Sequence, residues 1–122
     1  MSATLQAGHL GRIAVIRLKP NQDLIEGVEA AAAAAGLRDA VVRTAVGSLV
    51  DAALGHGADQ RIDVAGPGVE ILTLSGGLTA GVADLRGTIS DSSARVYGGR
   101  FLKGGNPICI TLELVLQEWV AE

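Results

Sequence analysis

A β-branched and aliphatic run over residues 11–18, Gly-Arg-Ile-Ala-Val-Ile-Arg-Leu, predicts a strand that stops at the turn Lys19-Pro20-Asn21. Asp23 followed by Glu26 has capping-box spacing, with Asp in place of Ser or Thr. The helix it opens runs to about Ala35 and ends at Gly36, with Leu24, Val28, Ala31 or Ala32, and Ala35 along one face. Its six successive alanines, residues 30–35, favour helix and keep it thin enough to press closely on a sheet or another subunit. Beyond Gly36 the pattern is strand-rich. Runs at 40–46 and 49–54 are separated by Gly47-Ser48, and a strand at 69–74 ends at Ser75-Gly76-Gly77. A weaker strand spans 78–89, and a well-alternating one spans 110–119. Residues 55–68 read as a loop or weak hairpin, 90–93 as a hairpin connection, and Gly104-Gly105-Asn106 as a turn. Strand, helix, then many strands predicts a single α+β domain over residues 1–122, with its core at about 11–119. The expected architecture is a mixed, mostly antiparallel sheet carrying one main helix on a face.

Composition narrows the function classes. With 48% hydrophobic residues among 122, the chain has enough apolar content to fold unaided. No apolar run is long enough to span a bilayer. Residues 1–6 lack the basic start and apolar centre of a secretory signal, so a cytoplasmic protein is expected. The net charge is −3, the arginines are dispersed, and Tyr97, Phe101 and Trp119 are the only aromatics. Phosphate-tracking surfaces cluster basic residues and single-strand binders stack bases on aromatics, so DNA binding by this domain alone is disfavoured. Cys109, the single cysteine, lies between Ile108 and Ile110 and reads as a small buried hydrophobe rather than a reactive thiol. A mean hydropathy of +0.37 leaves little charge to cover the outer faces, which predicts burial of apolar surface between subunits.

Five segments in order resemble the plants-and-prokaryotes-conserved (PPC) domain. They are Arg17-Leu18-Lys19-Pro20-Asn21-Gln22-Asp23-Leu24, Ala45-Val46-Gly47-Ser48-Leu49, Glu70-Ile71-Leu72-Thr73-Leu74-Ser75-Gly76, Gly98-Gly99-Arg100-Phe101-Leu102-Lys103-Gly104 and Thr111-Leu112-Glu113-Leu114-Val115-Leu116. The resemblance covers about residues 11–116 and implies a compact α+β domain assembling as a homotrimer. In plants such domains are joined to AT-hooks, whose basic core has no counterpart here. The resemblance also implies a three-histidine zinc site, H-x-H followed by the His of G-G-H. The corresponding positions here are Asp84, Arg86 and Arg100. A guanidinium stays protonated and offers no lone pair, so no metal and no cofactor are expected. His9 and His56 fall outside those positions and read as surface or loop residues.

If the family geometry holds, Arg86 and Arg100 project towards one cleft. There they either hold a carboxylate or phosphate through forked hydrogen bonds, with Asp84 orienting one of them, or pair with Asp84, Asp91 or Glu113 and bind nothing. Glu113 reads as a polar-face or ion-paired carboxylate, with a general base as the rarer role. Ser90 to Ser93 have no histidine nearby to activate them. The leading expectation is a non-enzymatic trimeric module binding a small anion or a protein partner. A DNA-associated regulator is the alternative, and an enzyme with an unrelated site comes third, since histidine, cysteine and paired carboxylates are scarce.

Overall fold

The computed structural model describes residues 3–122; the first two residues of the amino-terminal segment weighed above lie outside that range. Among the described residues eight strands and one helix follow the order β1 (Gly8–Leu18), α1 (Leu24–Ala34), β2 (Ala40–Leu49), β3 (Ala52–His56), β4 (Gln60–Val64), β5 (Val69–Thr79), β6 (Val82–Ser90), β7 (Val96–Phe101) and β8 (Ile108–Ala121). They form one sheet ordered β1-β8-β2-β5-β6-β7-β3-β4. Every pairing is antiparallel, which corrects the mixed sheet expected.

The helix forms as its caps dictate. The Asp23 carboxylate accepts hydrogen bonds from the N–H groups of Ile25 and Glu26, both at 3.1 Å, satisfying two of the free donors of the first turn. At the other end Gly36 adopts φ +71°, and the N–H groups of Gly36 and Leu37 donate back to Ala33 and Ala32. This is a Schellman closure, which needs the left-handed residue that glycine supplies most cheaply. Leu24, Val28 and Ala32 are buried as the spacing predicts, but Ala35 is exposed and Leu37, past the cap, fills the core instead. The helix packs on β1 and β6. Leu54, Leu85, Ile89, Phe101, Leu112, Leu114 and Leu116 are among the sheet residues that complete this core.

Two expected turns are strands. β2 runs through Gly47-Ser48, and β5 runs through Ser75-Gly76-Gly77. These glycines are sites of close backbone approach. A Cβ on Gly47 would stand 2.7 Å from the Leu112 Cα, and one on Gly77 would collide with the Ala40 carbonyl oxygen. The true turns follow at residues 50–51 and at Ala80-Gly81, where both residues have positive φ. The Gly-rich stretch after residue 55 is the β3–β4 hairpin. Cys109 is half-buried rather than fully enclosed.

The 91–95 connection is gathered by one carboxylate. Asp91 accepts from the N–H groups of Ser93 and Arg95, from the Arg95 guanidinium and from the Tyr97 hydroxyl. Burial pushes its carboxyl up, but these donors together outweigh burial and hold it below the usual carboxylate range. Glu29 on α1 is lowered too, chiefly by the hydrogen bond from Lys103 at 2.8 Å and then by the Ala83 N–H. A carboxyl lowered by folding stabilises the fold above its ordinary range, and that stabilisation is lost as pH falls through the lowered folded value. The urea midpoint is therefore expected to hold steady near neutrality and to fall below about pH 4. Asp91→Asn and Glu29→Gln should each flatten that fall, as urea titrations from neutral to acid will show.

Candidate functional site

The strand register settles where the predicted site residues lie. Cross-strand partners put their side chains on the same face. Arg86 lies opposite Arg100 across β6 and β7, Arg100 opposite Gly55 across β7 and β3, and Gly55 opposite Arg61 across β3 and β4. Arg86, Arg100 and Arg61 therefore form a row on the sheet face away from α1, with a glycine at the third position. Two of these charges are answered. Arg86 reaches Asp84, two residues along its own strand, at 3.3 Å from both Nε and Nη2, and Arg61 reaches Asp63 at 3.0 Å. Both pairs are largely exposed, so each contributes little to stability. Among the described residues no carboxylate lies within ion-pair distance of half-buried Arg100. The pairing expected between Arg86 and Asp84 is thus present, and Arg100 is the uncompensated cation of the row.

Glycines make room for this arrangement. A Cβ on Gly55 would stand 2.9 Å from Nη2 of Arg100, so the guanidinium lies across the space that a side chain would fill. The β3–β7 ladder ends at the Gly55–Arg100 pair, and a cleft of about 360 Å³ lies there, lined by Gly55, His56, Arg86, Gly98, Gly99 and Arg100 among others. His56, expected as a surface or loop residue outside the metal positions, is exposed and borders this cleft. It ends β3 on the opposite side of the strand from Gly55, and its Nε2 lies 3.2 Å from where a Cβ on Gly99 would be. His9, by contrast, is exposed on β1, far along the sheet order from this cleft.

The donors in this cleft do not fit a metal ion. Asp84 already faces a guanidinium, and the arginines at the other two positions have no lone pair to give. Among the described residues no group of three His, Cys, Asp or Glu side chains is placed to share a metal. The Thr88 hydroxyl at the cleft is 2.8 Å from the Thr73 hydroxyl. Glu113 is bridged to Arg17 across β8 and β1, in keeping with its reading as an ion-paired carboxylate.

Residues 5–120 match the Plants and Prokaryotes Conserved (PCC) domain. The chain belongs to this family. Among solved structures, a hypothetical protein from Salmonella cholerae-suis superposes with a TM-score of 0.82 at 30% identity, covering 93% of this chain and 80% of that one. The metal-containing protein AF0104 from Archaeoglobus fulgidus also scores 0.82, at 19% identity, covering 98% of this chain and 88% of that one. A plant- and prokaryote-conserved protein from Pyrococcus horikoshii scores 0.82 at 18% identity, covering the whole of this chain and 87% of that one. The latter two share the fold. A curated relative, the bifunctional protein GlmU of Synechococcus sp. (strain JA-3-3Ab), is 38% identical over 108 residues, which is 88% of this chain. The chain spans only 17% of that relative's length. This PCC domain therefore places an arginine pair and a histidine around one cleft, where cation coordination has no suitable donor set.

Proposed function

We propose that this PCC domain is a non-enzymatic homotrimeric module whose cleft between β3 and β7 binds a small anion through Arg100 and Arg86, with Asp84 orienting Arg86. The observation that carries this reading is the half-buried Arg100, left without a carboxylate beside an arginine that has one. Two like charges directly opposite each other on adjacent strands oppose folding, and an anion between them removes that cost. Equilibrium dialysis against a panel of carboxylates and phosphates tests it. Arg100→Met should abolish retention of whatever binds.

Assembly has separate support. On the sheet face opposite α1, Val15 faces Val115, and Val115 faces Thr44. In the neighbouring rows Ile13 faces Gln117 and Val46 faces Glu113. Ile13, Val15 and Val46 are 64%, 72% and 66% exposed, an apolar stripe across strands β1, β8 and β2 that α1 does not cover. Ile110, also exposed, stands on a bulge at φ +64°, a costly conformation for a β-branched residue. Sedimentation equilibrium should give three times the 12.4 kDa chain mass. The double variant Val15→Asp, Val46→Asp should shift the chain to monomer, since each valine removed from water contributes about 1.5–3 kcal/mol per copy.

A DNA-associated role is the second reading. Solved structures from Bacteroides thetaiotaomicron and Ralstonia eutropha, with TM-scores of 0.70 and 0.68, carry provisional DNA-binding names. Against it stand the net charge of −3 and the two aspartates that answer Arg86 and Arg61 within the row. A gel shift that persists at physiological salt would favour DNA over the small anion.

A further inference from the structure

We infer that the anion taken by this cleft is the phosphate group of a small phosphorylated molecule, gripped by Arg100, by His56 and by the main chain at Gly98-Gly99. The inference rests on the anion-binding reading above and narrows it to one chemistry. The geometry comes from the point where the β3–β7 ladder ends. β7 is paired with β6 from Val96 to Arg100, but with β3 only at Arg100 and Phe101. Residues 96–99 thus have a sheet partner on one side alone. Successive N–H groups along a strand point to alternate edges, so of Gly98 and Gly99 one directs its N–H towards β6 and the other into the cleft. A Cβ on Gly98 would meet only ordinary contacts, with Thr88 at 3.4 Å and the Gly87 carbonyl oxygen at 3.5 Å, so a ligand can come up to the backbone there.

The two side chains flank that edge from opposite sides. The Arg100 guanidinium lies over Gly55, on the face of the arginine row, and the His56 imidazole lies over Gly99, on the other face. A group seated in the cleft is met from one side by a guanidinium fork, from the other by an imidazole, and from the strand edge by a backbone donor. A carboxylate keeps its acceptor sites in one plane, so a guanidinium fork that meets it in that plane leaves donors above and below poorly served. A tetrahedral phosphate presents oxygens in three directions and can use all three donors at once. The volume of about 360 Å³ exceeds what one phosphate needs and leaves space for a compact organic group attached to it.

Isothermal titration calorimetry on the full chain tests this with inorganic phosphate, pyrophosphate, a hexose phosphate, malonate and a short DNA duplex as probes. At least one of the three phosphate compounds should bind about 10-fold or more tightly than malonate. A hexose phosphate that outbinds inorganic phosphate marks the organic group as part of the ligand, and equal binding marks the free ion; either result supports the phosphate assignment. Arg100→Met should abolish phosphate binding, and His56→Ala should weaken it about 10-fold. Arg100→Lys, which keeps the charge without the fork, guards against a folding artefact and should reduce the preference over malonate. Malonate binding as tightly as phosphate, and lost in Arg100→Met, would overturn the phosphate assignment and leave the anion-binding reading standing. A duplex that competes at the same site and outbinds the small phosphates overturns the small-molecule assignment. Failure of every anion to bind, or binding indifferent to Arg100→Met, overturns both.

Discussion

Asn106→Leu is expected to remove about 3–5 kcal/mol of stability, measured by urea unfolding at a fixed chain concentration. Asn106 is the one fully buried polar residue among those described, and all of its groups are engaged. Its Oδ1 accepts from the Ala53 N–H at 2.9 Å, while its Nδ2 donates to the carbonyls of Ala53 at 3.2 Å and Leu102 at 2.9 Å. The side chain thus imitates a neighbouring strand for one residue of β3. Its backbone N–H donates to Oδ1 of Asp23, and its carbonyl accepts from the Leu24 N–H. Leucine fills nearly the same volume, so the loss measures three stranded main-chain groups, each costing about 1–3 kcal/mol. Asn106→Asp should be at least as damaging, because a buried carboxylate would face two carbonyl oxygens with no donor between them. A variant that retains wild-type stability would show that the loop at 102–106 can rearrange to solvate those groups.

Gly77→Val should cost about 3 kcal/mol or more, by the same measurement. A Cβ there would run into the Ala40 carbonyl oxygen and stand 3.0 Å from the Val41 Cα, so the collision is with backbone that cannot swing aside. Val41 is the cross-strand partner of Gly77 at the end of the β2–β5 pairing, and separating them opens the middle of the sheet. Gly81→Ala is the control. A Cβ at Gly81 meets nothing within 4 Å, and the cost should be limited to the strain of φ +83°.

These two positions also mark what could be read from residues alone. The helix was legible to within a residue at both ends, because Asp23 and Gly36 are local signals acting on adjacent backbone. The Gly47-Ser48 and Ser75-Gly76-Gly77 breaks were not, because a glycine that admits a neighbouring strand looks the same in sequence as one that turns the chain. What separates them is contact with residues such as Leu112 and Ala40, which lie far along the chain. The Arg86–Arg100 opposition was reachable only through the resemblance, which set both on the same cleft. The answering of Arg86 by Asp84 needed no more than their i, i+2 spacing on a strand. His56 reads from sequence as a surface or loop residue, and it is exposed at the end of β3. Its partner in space is Gly99, and the signal available was a histidine followed by Gly57, at the end of an apolar run where a hairpin begins.

The seat of β8 has a consequence for how the molecule is made. The final strand separates β1 from β2, neighbours in sequence that never pair with each other. Until β8 is in place β1 has no strand to pair with, whereas the helix can already rest on β6. Completion of the sheet therefore waits on joining strands about a hundred residues apart, and closing a loop of that length slows it.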